Sequence, residues 1–186
     1  MAIGQIRRAL GGYYYVYDNG ELIQCRGRGV FRSRGESPLV GDIVDYDKED
    51  QSEGYVMKIH ERKNALVRPP IANIDQAILV FSVKEPSFST TLLDRFLAVL
   101  ESYNVKPIIV LTKMDMLTEQ GVKELQPYIQ DYEDIGYTVL TTYMGDPTLM
   151  ERLATYLTGK TSVLAGQSGV GQSTLLNAWL PELNIK

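Results

Sequence analysis

Gly166-Gln167-Ser168-Gly169-Val170-Gly171-Gln172-Ser173 follow the spacing G-x-x-x-x-G-K-[ST] of a phosphate-cradling loop, with Gln172 where that pattern carries lysine. Gly166, Gly169 and Gly171 let backbone N–H groups turn inward around phosphate oxygens. The helix expected to start near Gln172 and Thr174 adds its positive dipole end. The Ser173 hydroxyl stands where such loops hold Mg²⁺. Gln172 can donate a hydrogen bond from its amide but brings no charge. Losing one charge-assisted contact costs roughly 1.5–3 kcal/mol, or about 10- to 150-fold in affinity. Taken alone, the segment reads equally well as a glycine-rich strand–helix turn without a ligand.

A second tetrapeptide, Thr112-Lys113-Met114-Asp115, follows the apolar run Pro107–Leu111. Ligands of open α/β sheets bind where parallel strands end. A carboxylate at 115 can accept two hydrogen bonds from guanine, from the ring N–H and the exocyclic amine. Adenine has no such pair and would leave the carboxylate unmatched. The stem of Lys113 can lie over a base while its ammonium reaches outward. Such a tetrapeptide alone is more often a charged loop after a strand. Beside a phosphate loop on the same sheet, guanine binding is the stronger reading. Thr141-Thr142, ending the next expected strand, are weaker candidates for a second base contact. In ordinary nucleotide-binding domains the phosphate loop comes first; here it comes last.

These residues need parallel strands behind them. Gln76–Val83 is a near-continuous apolar run, as a strand buried on both faces requires. Lys106–Leu111 repeats the pattern, and strands are expected at 137–142 and 161–165. Ser89 and Thr90 can cap a helix whose Leu93, Phe96, Leu97 and Leu100 share a face. Further helices are expected at 119–134, 147–157 and 172–180. This alternation implies parallel βα units. Residues 1–68 read differently. Tyr13, Tyr15 and Tyr17 alternate as strand residues do, Asp18-Asn19-Gly20 signals a turn, and short β runs follow at 22–32, 40–46 and 54–60. They suggest a small barrel of OB-fold type, with an SH3-like barrel left open. Arg68-Pro69-Pro70 marks the expected linker into the α/β domain, 69–186.

The net charge of −4 is unevenly spread: residues 1–68 hold 11 Lys/Arg against 10 Asp/Glu, residues 69–186 hold 8 against 13. A polyanion partner would therefore meet the N-terminal part. Arg26, Arg28, Arg32 and Arg34 have no acid between them, and on a single strand over 25–34 all four would face one way. That stripe fits an RNA surface, and equally a solvated face paired with acids at 45–53; Gly27 and Gly29 could bulge and break it. His60, beside Glu61 and Arg62, is read as a surface or junction residue. The single Cys25 forms no internal disulfide and is read as a core residue of a cytoplasmic protein. No apolar run is long enough to span a membrane, and the N-terminus lacks the apolar stretch of a signal peptide.

Across essentially its whole length the sequence resembles the circularly permuted ribosome-assembly GTPases of the RsgA (YjeQ/YloQ) family. The resemblance rests on Cys25 to Arg32, Val40-Gly41-Asp42, Arg68-Pro69-Pro70-Ile71-Ala72-Asn73-Ile74-Asp75-Gln76, Leu93-Asp94-Arg95-Phe96-Leu97, Thr112–Asp115 and Gly166–Thr174. It implies an N-terminal OB-fold, a permuted P-loop GTPase domain that binds GTP or GDP with Mg²⁺, and hydrolysis stimulated by the small (30S) ribosomal subunit. It also implies a role in late maturation of that subunit, with rRNA as the surface touched; a monomer is expected. On the same resemblance, the switch-I threonine, the D-x-P-G motif and a zinc-binding domain would lie beyond Lys186. With one cysteine and one histidine, zinc is expected only there. The chain then corresponds to the RNA module and nucleotide cradle with impaired turnover, and its strand at 161–165 should lie on a sheet edge. The competing reading is a non-catalytic RNA-binding module on a degenerate nucleotide domain, for which Gln172 counts.

Gln172→Lys should tighten GTP binding by at least about tenfold by calorimetry. Equal affinity of the two forms would remove the loop from phosphate binding.

Overall fold

The computed structural model describes residues 1–29, 31, 35–48, 53–167 and 169. Two compact units emerge, Met1–Ile74 and a second that begins at Asp75.

The first unit is a closed five-stranded barrel in the order β1-β2-β3-β5-β4, built from β1 (Ala2–Leu10), β2 (Tyr13–Asp18), β3 (Glu21–Gly27), β4 (Ile43–Asp47) and β5 (Gly54–Ile59). β1 pairs with both β2 and β4, and β3 runs parallel to β5. This is the OB arrangement, so the SH3-like alternative falls away. Ile6, Val16, Cys25, Phe31, Val44, Tyr46 and Val56 fill the interior. Cys25 is fully buried, and burial, partly offset by Lys48, pushes its thiol up to about 11. It behaves as an inert core residue, as the sequence suggested.

Two strand expectations need correction. β1 was not anticipated, because a bulge between Ile6 and Arg8 breaks the alternation that marks a strand. The run at 22–32 is shorter than expected: β3 ends at Gly27, and the Phe31 N–H turns back to the Arg28 carbonyl at 3.1 Å. The pull of the core on Phe31, only 5% exposed, fits this turn better than a continued strand. Arg28 therefore lies outside the strand and the single-strand arginine stripe is lost. Arg32 and Arg34 lie outside the described residues.

The segment around Pro69 is not an open linker. β6 (Ala65–Leu66) and β7 (Ile71–Ala72) form a short antiparallel pair around it. Val40 bridges to Ile71, which brings Gly41, at φ 94°, against the Ala72 backbone. The Asn73 amide donates to the Gly41 carbonyl at 3.0 Å. Asp42, fully buried, accepts both Nε and Nη2 of Arg62 and the Leu39 N–H. Val40-Gly41-Asp42 and Ala72-Asn73 are thus one interlocked structural joint.

The second unit holds a parallel sheet in the order β10-β9-β8-β11: β8 (Gln76–Ser82), β9 (Lys106–Thr112), β10 (Thr138–Thr141) and β11 (Ser162–Gly166). Every residue of β8 is buried, as its apolar run required. One face packs Ile78, Val80, Ile108 and Val110 under Leu149 and Leu153 of the helix Leu149–Leu157. Toward the other face stands the helix Thr90–Ser102 (α1), which buries Leu93, Leu97 and Leu100 and sets Phe96 edge-on to Phe81 at 5.7 Å. The helix Glu119–Ile135 (α2) lies against β10, and Leu149–Leu157 is α3. Ser89 caps α1 by accepting the Leu92 N–H, as its side-chain type suggested. Among the described residues β11 is an edge strand with only β8 beside it, as expected. No helix among the described residues is long and apolar enough to cross a membrane.

Gly41→Ala should destabilise the barrel by about 2 kcal/mol or more, because a Cβ there would meet the Ala72 carbonyl oxygen at 2.0 Å on a left-handed backbone. Urea unfolding followed by tyrosine fluorescence measures it; an unchanged midpoint would contradict the joint described above.

Candidate functional site

Four parallel strands put four loops at one sheet edge. The register aligns Thr141 with Leu111, Leu111 with Phe81, and Gly166 with Val80, so all four strands end at nearly one level. Thr112 to Asp115 leave β9, and Gly166 leaves β11, with β8 between them. At ordinary strand spacing the two loops begin about 10 Å apart.

Lys113 spans that gap. Its backbone is left-handed, φ 63°, a conformation that costs a lysine energy and turns its side chain back across the edge. Its Nζ donates to the Gly169 carbonyl at 3.0 Å and to the Glu85 carbonyl in the loop after β8. Thr112, 8% exposed, donates its hydroxyl to the Phe81 carbonyl. Met114 and Asp115 form a short 3-10 turn, Met114–Met116, whose first N–H donates to the Thr142 carbonyl at 3.1 Å. Asp115 is exposed, and its Oδ1 accepts the Met144 N–H at a long 3.4 Å. A carboxylate acceptor therefore stands next to a backbone donor, the complement of a guanine edge with its N–H donors beside a carbonyl.

In the expected phosphate loop, Gly166 has φ 149° and Gly169 φ 79°, both conformations that side chains resist. Gln167 begins the loop half-buried. Ser168, Val170, Gly171, Gln172, Ser173 and Thr174 lie outside the described residues, as does the helix expected at 172–180. Among the described residues no group of His, Cys, Asp and Glu is placed to hold a metal ion.

Thr142, the weaker base-contact candidate, is 5% exposed, and its hydroxyl is engaged by Asp146 Oδ2 at 3.0 Å. Asp146 also accepts Arg152 Nη2 at 2.7 Å and both the N–H and hydroxyl of Thr148. Burial pushes the Asp146 carboxyl up, but the Thr148 and Thr142 hydrogen bonds and the Arg152 charge outweigh it and hold it below the ordinary value. Its folded pKa being depressed, this cluster keeps its full strength above the usual carboxylate range and weakens only as pH falls through the lowered value. Sequence reading missed Asp146 and Arg152, since neither forms a motif.

On the barrel, Arg26 is engaged: Nε meets Glu53 at 2.7 Å and Nη2 the Tyr13 hydroxyl at 2.5 Å. For Arg26 this favours the paired-acid reading. The bulge in β1 instead brings out two arginines that were not singled out. Arg7 lies 3.5 Å over the Tyr17 ring and Arg8 5.4 Å over Tyr15, while Arg26 lies 4.9 Å over Tyr13. The alternating tyrosines thus form one outer face of β2, each capped by a guanidinium, while Tyr14 and Val16 point to the core.

Comparisons with known proteins agree with this architecture. Residues 3–56 match the model of the RsgA N-terminal domain and residues 59–186 that of the RsgA GTPase. A protein of Geobacillus sp. (strain WCH70) named small ribosomal subunit biogenesis GTPase RsgA is 55% identical over all of this chain and 64% of its own length. Its namesake from Bacillus subtilis (strain 168) is 51% identical with the same coverage. The crystal structure of YloQ, described as a circularly permuted GTPase, superposes with a TM-score of 0.84 at 49% identity, over 99% of this chain and 66% of that one. YjeQ from Thermotoga maritima superposes with a TM-score of 0.90 at 35% identity. The chain thus spans slightly less than two thirds of these relatives. An OB-type barrel ahead of a parallel sheet that meets its base-side loop before its phosphate loop, matched over nearly every residue, makes this chain a member of the RsgA GTPase family.

Proposed function

We propose that the chain is the barrel and nucleotide cradle of a GTP-binding, GTP-hydrolysing factor that acts in late maturation of the small ribosomal subunit, in the cytoplasm and as a monomer. The observation that carries the reading is Lys113, whose ammonium joins the loop after β9 to Gly169 of the loop after β11. Asp115 reads guanine. The Gly166–Thr174 loop cradles the phosphates, Ser173 supplies the Mg²⁺ hydroxyl, and Gln172 weakens the grip on the phosphate charge. The names of the relatives support the cellular role. Gln172 also supports a second reading, a non-catalytic RNA-binding module on a nucleotide domain that has lost turnover.

Asp115→Asn tests the base site. Xanthine presents an acceptor where guanine presents an amine, so the variant should lose GDP affinity and gain XDP affinity. An unchanged preference would exclude Asp115 from the base site.

The barrel, taken as residues 1–68, is the rRNA-facing part. Arg7 and Arg8, exposed and stacked on tyrosines, are better placed for phosphates and bases than Arg26, which is held by Glu53. Replacing both by alanine should weaken binding to the small subunit or its rRNA. It should also flatten the log–log salt slope by about 1.5, at roughly 0.7–0.9 per phosphate contact. Unchanged affinity and slope would leave these arginines as solvated partners of the tyrosines.

A further inference from the structure

We infer that Asp146 and Arg152 are positioning residues for guanine selectivity, bolting the turn that carries the Met144 N–H beside Asp115. The inference rests on the base-site reading of Asp115.

Within the turn 142–146 one backbone bond closes the loop, the Asp146 N–H donating to the Tyr143 carbonyl at 3.2 Å. Tyr143 and Met144 are 50% and 82% exposed, so burial does not hold them. At its near end the Thr142 N–H donates to the Leu111 carbonyl at 2.8 Å and the Thr142 carbonyl accepts the Met114 N–H. At its far end Asp146, with a side chain 3% exposed, gathers Thr142, Thr148 and Arg152. Arg152 projects from α3 and also donates to the Thr141 carbonyl at 2.9 Å. One guanidinium thus grips both β10 and the carboxylate that closes the turn. The turn between them can place its Met144 N–H in only a narrow range.

The cluster is not built for stability alone. Arg152 Nε is buried with no hydrogen-bond partner among the described residues. The Arg152 side chain as a whole is 37% exposed, but leaving that one buried donor unmatched still carries a desolvation cost. An apolar pair would hold α3 to the sheet without it. What the ionic cluster adds is direction: a fixed carboxylate with several donors sets the path of the turn, as packing of exposed Tyr143 and Met144 does not. A backbone donor fixed beside the Asp115 acceptor matches the carbonyl next to the N–H groups on guanine. It meets an amine on adenine and repels it.

GDP and ADP affinities of the whole chain should be measured by calorimetry and competition, for the unaltered protein, Asp146→Asn and Arg152→Met, with XDP added for Asp115→Asn. Loss of one oriented hydrogen bond should lower GDP affinity roughly 3- to 10-fold. ADP affinity, set by ribose and phosphate contacts, should stay the same, so the GDP/ADP ratio falls. Arg152→Lys should recover part of the ratio. General damage to the site would lower both affinities together and leave the ratio intact, which overturns the inference. If either variant fails to fold, Thr142→Val, which removes a single donor to Asp146, should still lower the ratio, and a constant ratio there also overturns it. An unaltered protein that does not prefer GDP, or an Asp115→Asn form with no shift to XDP, would instead refute the base-site reading itself.

Discussion

Parallel strand pairing is the constraint on which the site depends. Because β8, β9, β10 and β11 run the same way in aligned register, their C-terminal loops share one edge. Reversing a single five-residue strand would carry its loop about 15–20 Å to the opposite edge. Lys113 then could not reach Gly169. Parallel pairing demands crossover helices on the faces, and burial of Leu93 and Leu97 on α1 and of Leu149 and Leu153 on α3 supplies them. The apolar identity of β8 and the reach of one lysine are thus consequences of the same arrangement.

The barrel is governed by local geometry. A strand puts successive side chains on opposite faces, so Arg7 and Arg8 could not both face outward on a regular β1. The bulge after Ile6 permits it while Ile6 stays fully buried. The result is a row of Arg–Tyr pairs, each worth about 0.5–1 kcal/mol at an exposed site. That energy is too small to dictate the fold, so the row follows from the bulge and does not cause it.

This explains what could be read in the sequence. β8 and β9 were legible because both their faces are buried and their residues are continuously apolar. Ser89 was legible because an N-cap is a property of one side chain. The parallel order followed from strand–helix alternation, whereas the edge place of β11 was implied only by the family resemblance. β1 was not legible, since its bulge destroys the period on which a strand is recognised. The single strand expected over 25–34 ends at Gly27 because the pull of the core on Phe31 is a tertiary effect, invisible in a run of alternating arginines. Thr142 was correctly located at the sheet edge, yet its hydroxyl went to Asp146, six residues from the Arg152 that completes the pair.

The loop between β10 and α3 and the turn after β9 hold two carboxylates with opposite commitments. Asp146 accepts four donors and sits almost wholly out of water, so any rearrangement there would strand charge. Asp115 is exposed and, among the described hydrogen bonds, accepts only the Met144 N–H at 3.4 Å, longer than a strong bond allows. Exchanging that contact for two bonds to a planar base edge costs little. On the proposed reading, a group that recognises a ligand has to be available in its absence, whereas a group that holds a loop has to be fully used. Proximity at the sheet edge, across 31 residues of chain, makes that division possible: the committed carboxylate closes the turn from which the lightly bound one takes its one described donor.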